Sequence, residues 1–187
     1  MDVSAATSLF ARLDREIWLL TSQADGRRGG LIATFVNQAS IVPEMPRVVV
    51  GLAKQHHTWE LVQASGVFAL HLLGQRHLEW VWRFGLSSAR REDKFAGLEA
   101  RPGVTNCPLL PDALGWLECR VEAALDTGDR TVYLAEVIDG RVVSDDPPLT
   151  VARMLQLAPA DKLADLKRQM NEDAAVDAAA IRRWRQS

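Results

Sequence analysis

The sequence predicts a mainly β fold, a β-barrel with helices at its periphery. Several segments either alternate apolar with polar residues or form short apolar blocks between turn residues, as strands do. Tight turns join most of these segments, and consecutive antiparallel strands lose their exposed edges when the sheet closes on itself. With 187 residues, of which 48% are hydrophobic, the chain is long enough to bury the core of one domain.

The first half of the chain contains most of the predicted strands. These strands lie at residues 17–22, 31–36, 47–53 and 67–73. The predicted helices lie at residues 1–14, 57–65 and 76–84. Residues 23–30 contain Asp25-Gly26 and Gly29-Gly30, and we expect this whole stretch to form a turn.

A long hairpin follows in the second half. Residues 116–125 alternate with a period of two, which predicts a half-exposed strand. Gly128-Asp129 then turns the chain into a second strand at 131–143, in which Gly140 is a candidate bulge. A helical turn is expected earlier, at residues 91–95.

The tail after this hairpin differs in composition, because it is rich in Ala, Leu and charged residues, which predicts helices. Pro159 separates two of them, and Asp161 is a candidate N-cap of the second. The helix face that needs a partner surface is formed by Leu163, Leu166 and Met170. We therefore divide the chain into a barrel at 1–148 and a C-terminal helical extension at 149–187 that packs on the barrel or on a partner subunit.

Composition and charge argue against several function classes. The formal net charge of -2 does not favour nucleic-acid binding. Cys107 and Cys119 lack metal-ligand spacing and a matching His pair, so we expect buried small residues in a reducing compartment. No signal peptide is visible, and no stretch approaches the roughly 20 apolar residues of a membrane helix. The sequence therefore predicts a cytoplasmic protein that binds neither nucleic acid, membrane nor metal.

A polar cluster follows the strand predicted at 31–36. Its members are Thr34, Phe35, Asn37, Gln38, Ala39 and Ser40. A flat amphipathic ring such as isoalloxazine needs hydrogen bonds along its edge and apolar contact on its face, and a strand end that runs into a polar loop supplies both. The alternative is a polar strand end that satisfies its own turn.

A second cluster opens the helix predicted at 57–65. Its members are Lys54, Gln55, His56, His57 and Thr58. Helix N-termini bind phosphate through free N–H groups and the helix dipole, and Lys54 would add positive charge. The alternative is an ordinary N-cap formed by Thr58, with Lys54 in solvent. The adjacent histidines have no acidic or Cys cluster beside them and do not predict a metal site.

A third segment, residues 90–97, contains Lys94 and Phe95, a charge and a ring that would meet a ligand. A solvated surface turn with one anchoring aromatic is the alternative. The sequence shows no Ser-His-Asp arrangement, P-loop or Rossmann glycine fingerprint. Enzyme classes defined by those motifs are therefore not indicated.

Several short motifs follow one another in a fixed order. They are Ile17-Trp18-Leu19-Leu20-Thr21-Ser22, Gly30 through Ser40, the Pro43 loop, Val48-Val49-Val50, Lys54 through Val62, Val67 through Leu73, Asp93-Lys94-Phe95-Ala96-Gly97-Leu98, Pro108-Leu109-Leu110, Ala113 through Cys119, Thr127-Gly128-Asp129 and Glu136-Val137. Each motif is weak alone, but their order resembles the flavin reductase-like family, the FMN-binding split barrels, over about residues 10–145.

The resemblance implies a split-barrel homodimer with FMN, or in some members FAD, near the subunit interface. It implies phosphate contacts from residues 54–58, ring contacts from 34–40 and further contacts from Lys94 and Phe95. In reductase members NAD(P)H reduces the flavin, which then serves a monooxygenase or another acceptor, so that the flavin itself supplies the chemistry. The sequence is interpreted on this basis as an FMN-binding NAD(P)H:flavin reductase.

Three positions depart from the family pattern. Arg130 stands where many reductases have a His near the nicotinamide, and would pair with a phosphate or carboxylate of the donor. Val42-Pro43-Glu44 replaces the usual Asp-Pro-Pro, and His56-His57 replaces small polar residues and an Arg. Two alternatives stay open: a flavin-binding electron carrier with a non-nicotinamide donor, and a non-catalytic flavin-binding barrel.

Overall fold

The computed structural model describes residues 3–86 and 93–187. Its helices are α1 (Val3–Phe10), α2 (His57–Ser65), α3 (Leu78–Leu86), α4 (Val151–Leu157) and α5 (Ala160–Trp184), with a 3-10 turn at Gln75–His77. Its strands are β1 (Trp18–Ala24), β2 (Arg27–Ala33), β3 (Val36–Gln38), β4 (Arg47–Ala53), β5 (Val67–Leu72), β6 (Arg101–Pro102), β7 (Pro108–Leu109), β8 (Gly115–Asp126) and β9 (Arg130–Val142). The helical turn predicted at 91–95 begins outside the described residues.

Seven strands form one antiparallel sheet in the order β2-β1-β5-β8-β9-β4-β3. The sheet curls around a hydrophobic cluster to which β1, β2, β4, β5, β8 and β9 all contribute buried residues. The predicted class, a mainly β fold with peripheral helices, is confirmed. Helices nevertheless cover 34% of the chain against 35% for strands, largely because α5 is 25 residues long.

The β1–β2 connection is shorter than predicted. Asp25 and Gly26 have φ angles of 51° and 73°, so these two residues alone form a tight left-handed hairpin turn. Gly29 and Gly30 were expected in the turn, but they lie inside β2. A Cβ at Gly30 would lie 2.8 Å from Cδ1 of Phe84, so the missing side chain lets α3 approach the sheet.

Two further boundaries differ from the prediction. The strand expected at 31–36 ends at Ala33, and Val36 already belongs to β3. Gly140 is not a bulge, because it pairs in register with Leu117 of β8. A Cβ at Gly140 would lie 2.8 Å from Cδ2 of Leu117. Glycine is favoured at this position because the Leu117 side chain packs directly against its backbone.

The tail forms α4 and α5 on either side of Pro159, as predicted. Asp161 lies in the first turn of α5 and is not its N-cap. Leu166 packs against a second hydrophobic cluster, formed by residues of α3, α4 and the loops around them. Leu163 is half-buried, and Met170 is 62% exposed. The face predicted to dock therefore does so only in part, and the division of the chain into barrel and extension stays a prediction.

Candidate functional site

A cavity of about 840 Å³ lies between the sheet, α2, α3 and the C-terminal helices. Its inner wall comes from β2 and the start of α2, one side from α3, and its outer side from α4 and α5. The volume falls within the range of small-molecule and cofactor sites. The cavity is therefore the candidate ligand site.

The cavity brings together parts of all three predicted segments. The predicted site residues on its wall are Thr34, Gln55, His56, His57, Thr58 and Lys94. They come from the end of β2, the start of α2 and the turn after α3, which are far apart in the sequence.

The remaining predicted residues do not line the cavity. These are Phe35, Asn37, Gln38, Ala39, Ser40, Lys54 and Phe95. Gln38 donates through Nε2 to the Ser40 carbonyl at 2.6 Å, and Ser40 Oγ accepts from the backbone N–H of Val42 at 3.1 Å. This part of the first segment satisfies its own turn in the single chain, and its contact with a cofactor stays a prediction.

Lys54 and Phe95 have protein partners as well. The ammonium of Lys54 lies 2.6 Å from Asp126 Oδ1. Phe95 is 3% exposed and packs edge-to-face on Phe84, with ring centroids 5.2 Å apart. Their predicted roles toward a ligand likewise remain predictions.

The start of α2 opens onto the cavity without a side-chain cap. His56 is the N-cap residue in an extended conformation, and its side chain makes no capping bond. Thr58, expected as the N-cap in the alternative, is buried inside the first turn. Within the described residues, the N-cap side chain therefore leaves the first N–H groups of α2 to other partners, as a site for an anion requires.

Lys94 places a positive charge on the cavity wall. Its side chain is 7% exposed, and Nζ donates to the carbonyls of Gly30 at 3.2 Å and Phe84 at 2.9 Å. The alternative of a solvated turn is wrong for Lys94, which is buried, whereas the burial of Phe95 agrees with the anchoring aromatic of that alternative. An ammonium fixed by two carbonyls at the edge of a cavity favours a negatively charged ligand group.

Three buried donors on the cavity wall have no hydrogen-bond partner in the described part of the chain. They are Nε of Arg15, Nε2 of Gln55 and Nε1 of Trp82. A buried donor without a partner costs about 1–3 kcal/mol, so three of them around one cavity point to a ligand rich in acceptors. The carbonyl and nitrogen edge of an isoalloxazine ring fits this donor set.

Sequence reasoning named Gln55 but missed Arg15 and Trp82. Trp82 was assigned to core or interface because its spacing in a helix is typical of packing. Arg15 lies in a loop that carries no motif. Their convergence depends on the tertiary arrangement, and no local signal marks it.

Arg130 is held outside the cavity by two carboxylates. Its Nη2 lies 2.8 Å from Oδ2 of Asp177 on α5, and its Nε lies 3.1 Å from Oδ2 of Asp129. The exposed ring of Phe35 lies between two guanidinium groups, 5.1 Å from that of Arg130 and 5.2 Å from that of Arg15. The sequence did not indicate that α5 reaches this position.

Cys107 and Cys119 are free, fully buried thiols, as predicted. Burial raises the pKa of Cys119 to about 12, so it is not a thiolate at neutral pH. Within residues 3–86 and 93–187, no group of three His, Cys, Asp or Glu side chains is placed to hold a metal ion. In the same ranges, no helix combines the length and apolarity needed to cross a bilayer.

Comparison with known proteins identifies the family of the chain. Residues 10–155 match the model of the flavin reductase like domain. A ferric-chelate reductase (NAD(P)H) from Archaeoglobus fulgidus is 32% identical over 81% of this chain and 88% of its own length. Diflavin flavoprotein A 1 from Synechocystis is 29% identical over 70% of this chain, which spans only 23% of that longer protein.

A solved structure shares the fold. The flavin reductase domain protein from an Arthrobacter species superposes with a TM-score of 0.70 at 25% identity, covering 79% of this chain and 89% of that one. The fold and these relatives together define a flavin-binding oxidoreductase. The chain belongs to the flavin reductase-like domain family, and the resemblance seen in its sequence is confirmed.

Proposed function

We propose that the protein is a cytoplasmic NAD(P)H-dependent flavin reductase that holds FMN in this cavity and acts as a homodimer. The observation that carries the proposal is the convergence of three unpaired buried donors and the uncapped start of α2 on one cavity. When bound, the flavin supplies the redox chemistry by taking a hydride from a nicotinamide and passing electrons on. The protein binds and orients the cofactor and limits its contact with water.

The cavity residues divide into two groups by chemistry. Arg15, Gln55 and Trp82 offer N–H groups that suit the acceptors along the edge of the ring. The N–H groups at His57 and Thr58, together with the Lys94 ammonium, suit a phosphate. One helix N-terminus provides one phosphate site, which supports FMN over the two-phosphate FAD.

The homodimer would complete the site. Residues 37–40 lie at the β3 edge of the sheet, outside the cavity of their own chain. The adjoining loop exposes apolar side chains, with Ile41 95% and Met45 59% exposed. An apolar loop beside an edge strand suits an interface between two copies, which would place residues 37–40 against a flavin. Light scattering on the eluted protein should give twice the mass of one chain, and a monomer would refute this part.

Flavin binding is tested by removing the cavity charge. Lys94→Met should weaken FMN binding by on the order of tenfold, because a charge-assisted hydrogen bond to a phosphate is worth about 1.5–3 kcal/mol. Lys167→Met removes the same charge from an exposed position of α5 and should bind FMN like the parent protein. Titration of FMN fluorescence measures both. Equal affinities in the two variants would contradict the placement of the phosphate near Lys94.

The reductase reaction is tested by mixing the protein with FMN or FAD and with NADH or NADPH. Absorbance of the reduced nicotinamide should fall, and FMN should bind more tightly than FAD. Dioxygen, a ferric chelate and a flavin-dependent monooxygenase are the acceptors to compare, since the Archaeoglobus fulgidus relative is a ferric-chelate reductase. No turnover with either nicotinamide would refute the reductase function.

A second candidate function is an electron carrier that takes electrons from a donor other than a nicotinamide. The observation that favours it is Arg130, whose guanidinium is already paired with Asp129 and Asp177. In that case the flavin would copurify tightly and be reduced by dithionite or a protein donor but not by nicotinamides. Rapid exchange of the flavin with solution would count against this candidate.

A further inference from the structure

Helix α5 lies across the outer side of the cavity. Its residues Asp165, Leu166, Met170 and Asp173 line the cavity, opposite β2 and the start of α2. No residue in its 25 positions is buried. An element with so little buried apolar surface is held by few contacts and opens more readily than the barrel it covers.

The end of α5 is fastened at the β8–β9 turn. Asp177 Oδ2 accepts a hydrogen bond from Arg130 Nη2 at 2.8 Å, with the two side chains 14% and 31% exposed. Trp184 covers Gly128, where an added Cβ would lie 2.7 Å from Cβ of Trp184. Both contacts lie away from the cavity, so they hold the helix in place without forming the pocket itself.

The fastening uses the guanidinium that a donor would need. Arg130 lies over the exposed ring of Phe35, and a guanidinium donates hydrogen bonds to either a carboxylate or a phosphate in the same fork geometry. Asp177 thus occupies the guanidinium that the family resemblance assigns to an anionic group of the donor.

The docked carboxylate is poorly compensated. Burial raises the pKa of Asp177, the Arg130 charge opposes that effect, and the negative charges of Asp129 and Asp173 add to it. Burial and the negative charges of Asp129 and Asp173 therefore oppose part of the attraction that Arg130 exerts on Asp177.

We propose that α5 is a lid over the flavin cavity, fastened by the Arg130–Asp177 ion pair, and that a phosphate of the electron donor displaces Asp177 from Arg130 and so opens the lid. The displacement step rests on the proposed function, because it takes a nicotinamide dinucleotide as the donor. Donor binding and lid opening then form one coupled equilibrium, in which a loosened lid raises the apparent affinity for the donor.

The test measures hydrogen exchange of the α5 amides in the full-length, FMN-loaded protein, with NADP⁺ as the probe. Asp177→Lys sets two cations against each other and should speed exchange in α5 by on the order of tenfold, the effect of one partly buried ion pair turned into repulsion. Saturating NADP⁺ should speed exchange in the parent protein to a similar degree and have little further effect in the variant. Exchange in the barrel strands should stay unchanged.

Two controls separate the fastening from other effects. Asp161→Lys makes the same charge change on the same helix, at an exposed position that does not line the cavity and is not part of the Arg130 ion pair, so exchange beyond the first turn of α5 should match the parent protein. The double variant Arg130→Glu with Asp177→Lys restores an ion pair of reversed polarity and should return slow exchange. Trp184→Ala provides a second loosened lid that leaves the ion pair in place.

Each outcome decides one part of the proposal. If α5 exchanges in Asp177→Lys and Trp184→Ala as in the parent protein, α5 is not fastened as proposed. If bound NADP⁺ leaves α5 exchange unchanged while NADPH reduces the flavin, the displacement is wrong and the reductase function stands. If neither nicotinamide reduces the flavin, both the reductase function and the displacement of Asp177 by the donor are wrong. Exchange in the variants still decides whether Asp177 holds α5 in place.

Discussion

Removing the side-chain amide of Gln55 should raise the stability of the protein without flavin and lower its affinity for FMN. Its Nε2 is buried on the cavity wall and has no hydrogen-bond partner within the described residues. Gln55→Met keeps the length of the side chain and removes the amide. The ligand-free protein should become more stable, while its affinity for FMN should fall.

Both magnitudes follow from the state of one hydrogen bond. An unpaired buried donor costs about 1–3 kcal/mol, and water admitted to the cavity offsets part of it, so the free energy of unfolding should rise by about 1 kcal/mol. In the proposed binding mode, the flavin accepts the hydrogen bond that this donor does not make within the protein. Losing that bond costs about 1 kcal/mol of binding, or about fivefold in the dissociation constant.

Urea unfolding without flavin and a fluorescence titration with FMN measure the two effects. Gln63→Met is the matched control, because Gln63 is an exposed residue of α2 and the same change there should alter neither quantity. A loss of stability in Gln55→Met, or an unchanged affinity for FMN, would refute the assignment of this amide to the flavin.

Three further predictions concern the protein scaffold. Burial lowers the pKa of His71 from 6.5 to about 4, so the folded state binds a proton less readily than the unfolded chain. The free energy of unfolding should therefore fall by about 2 kcal/mol between about pH 7.5 and about pH 5. Urea titrations of His71→Gln should no longer show this loss. Glu118 is fully buried and accepts three hydrogen bonds from the loop before β7. In Glu118→Gln an N–H₂ group replaces one acceptor oxygen and faces the donors of that loop, so the melting temperature should fall by about 5–10 °C in calorimetry. Gly30→Ala would bring a Cβ within 2.8 Å of Phe84 and should lower the free energy of unfolding in urea by about 1–3 kcal/mol. Gly85→Ala is the control, because its Cβ would meet its nearest neighbour only at 3.5 Å and should leave the stability unchanged. Equal effects of the two changes would contradict the crowding at Gly30.

The sequence predicted correctly those elements whose ends are set by turn residues directly beside them in the chain. The strand Arg47–Ala53 and the helix His57–Ser65 begin and end where the sequence places them, because a short apolar block and a helical pattern are each bounded by turn residues. The position of Gly29-Gly30 in β2 was missed because local turn chemistry and tertiary packing favour different structures there. The approach of Phe84 decides between them, and that contact is not visible in the sequence.

The candidate site was predicted in outline and missed in its composition. Motif order was enough to bring Thr34, Lys94 and the start of α2 together, and all three line one cavity. The unpaired donors of Arg15 and Trp82 were missed, because a donor lacks a partner only in relation to everything that packs around it. The position of α5 depends on contacts across the molecule, among them the Arg130–Asp177 ion pair and the packing of Trp184 on Gly128, which composition and periodicity do not encode.

The three unpaired donors also link the lifetime of the protein to its cofactor. They raise the free energy of the ligand-free form, and a ligand that pairs them stabilises the fold by mass action, by about 2.7 kcal/mol at a hundred times its dissociation constant. A difference of that size changes the unfolded fraction about a hundredfold, and cellular proteases act on that fraction. The supply of flavin would then set how much of the protein a cell retains as well as how much of it is active.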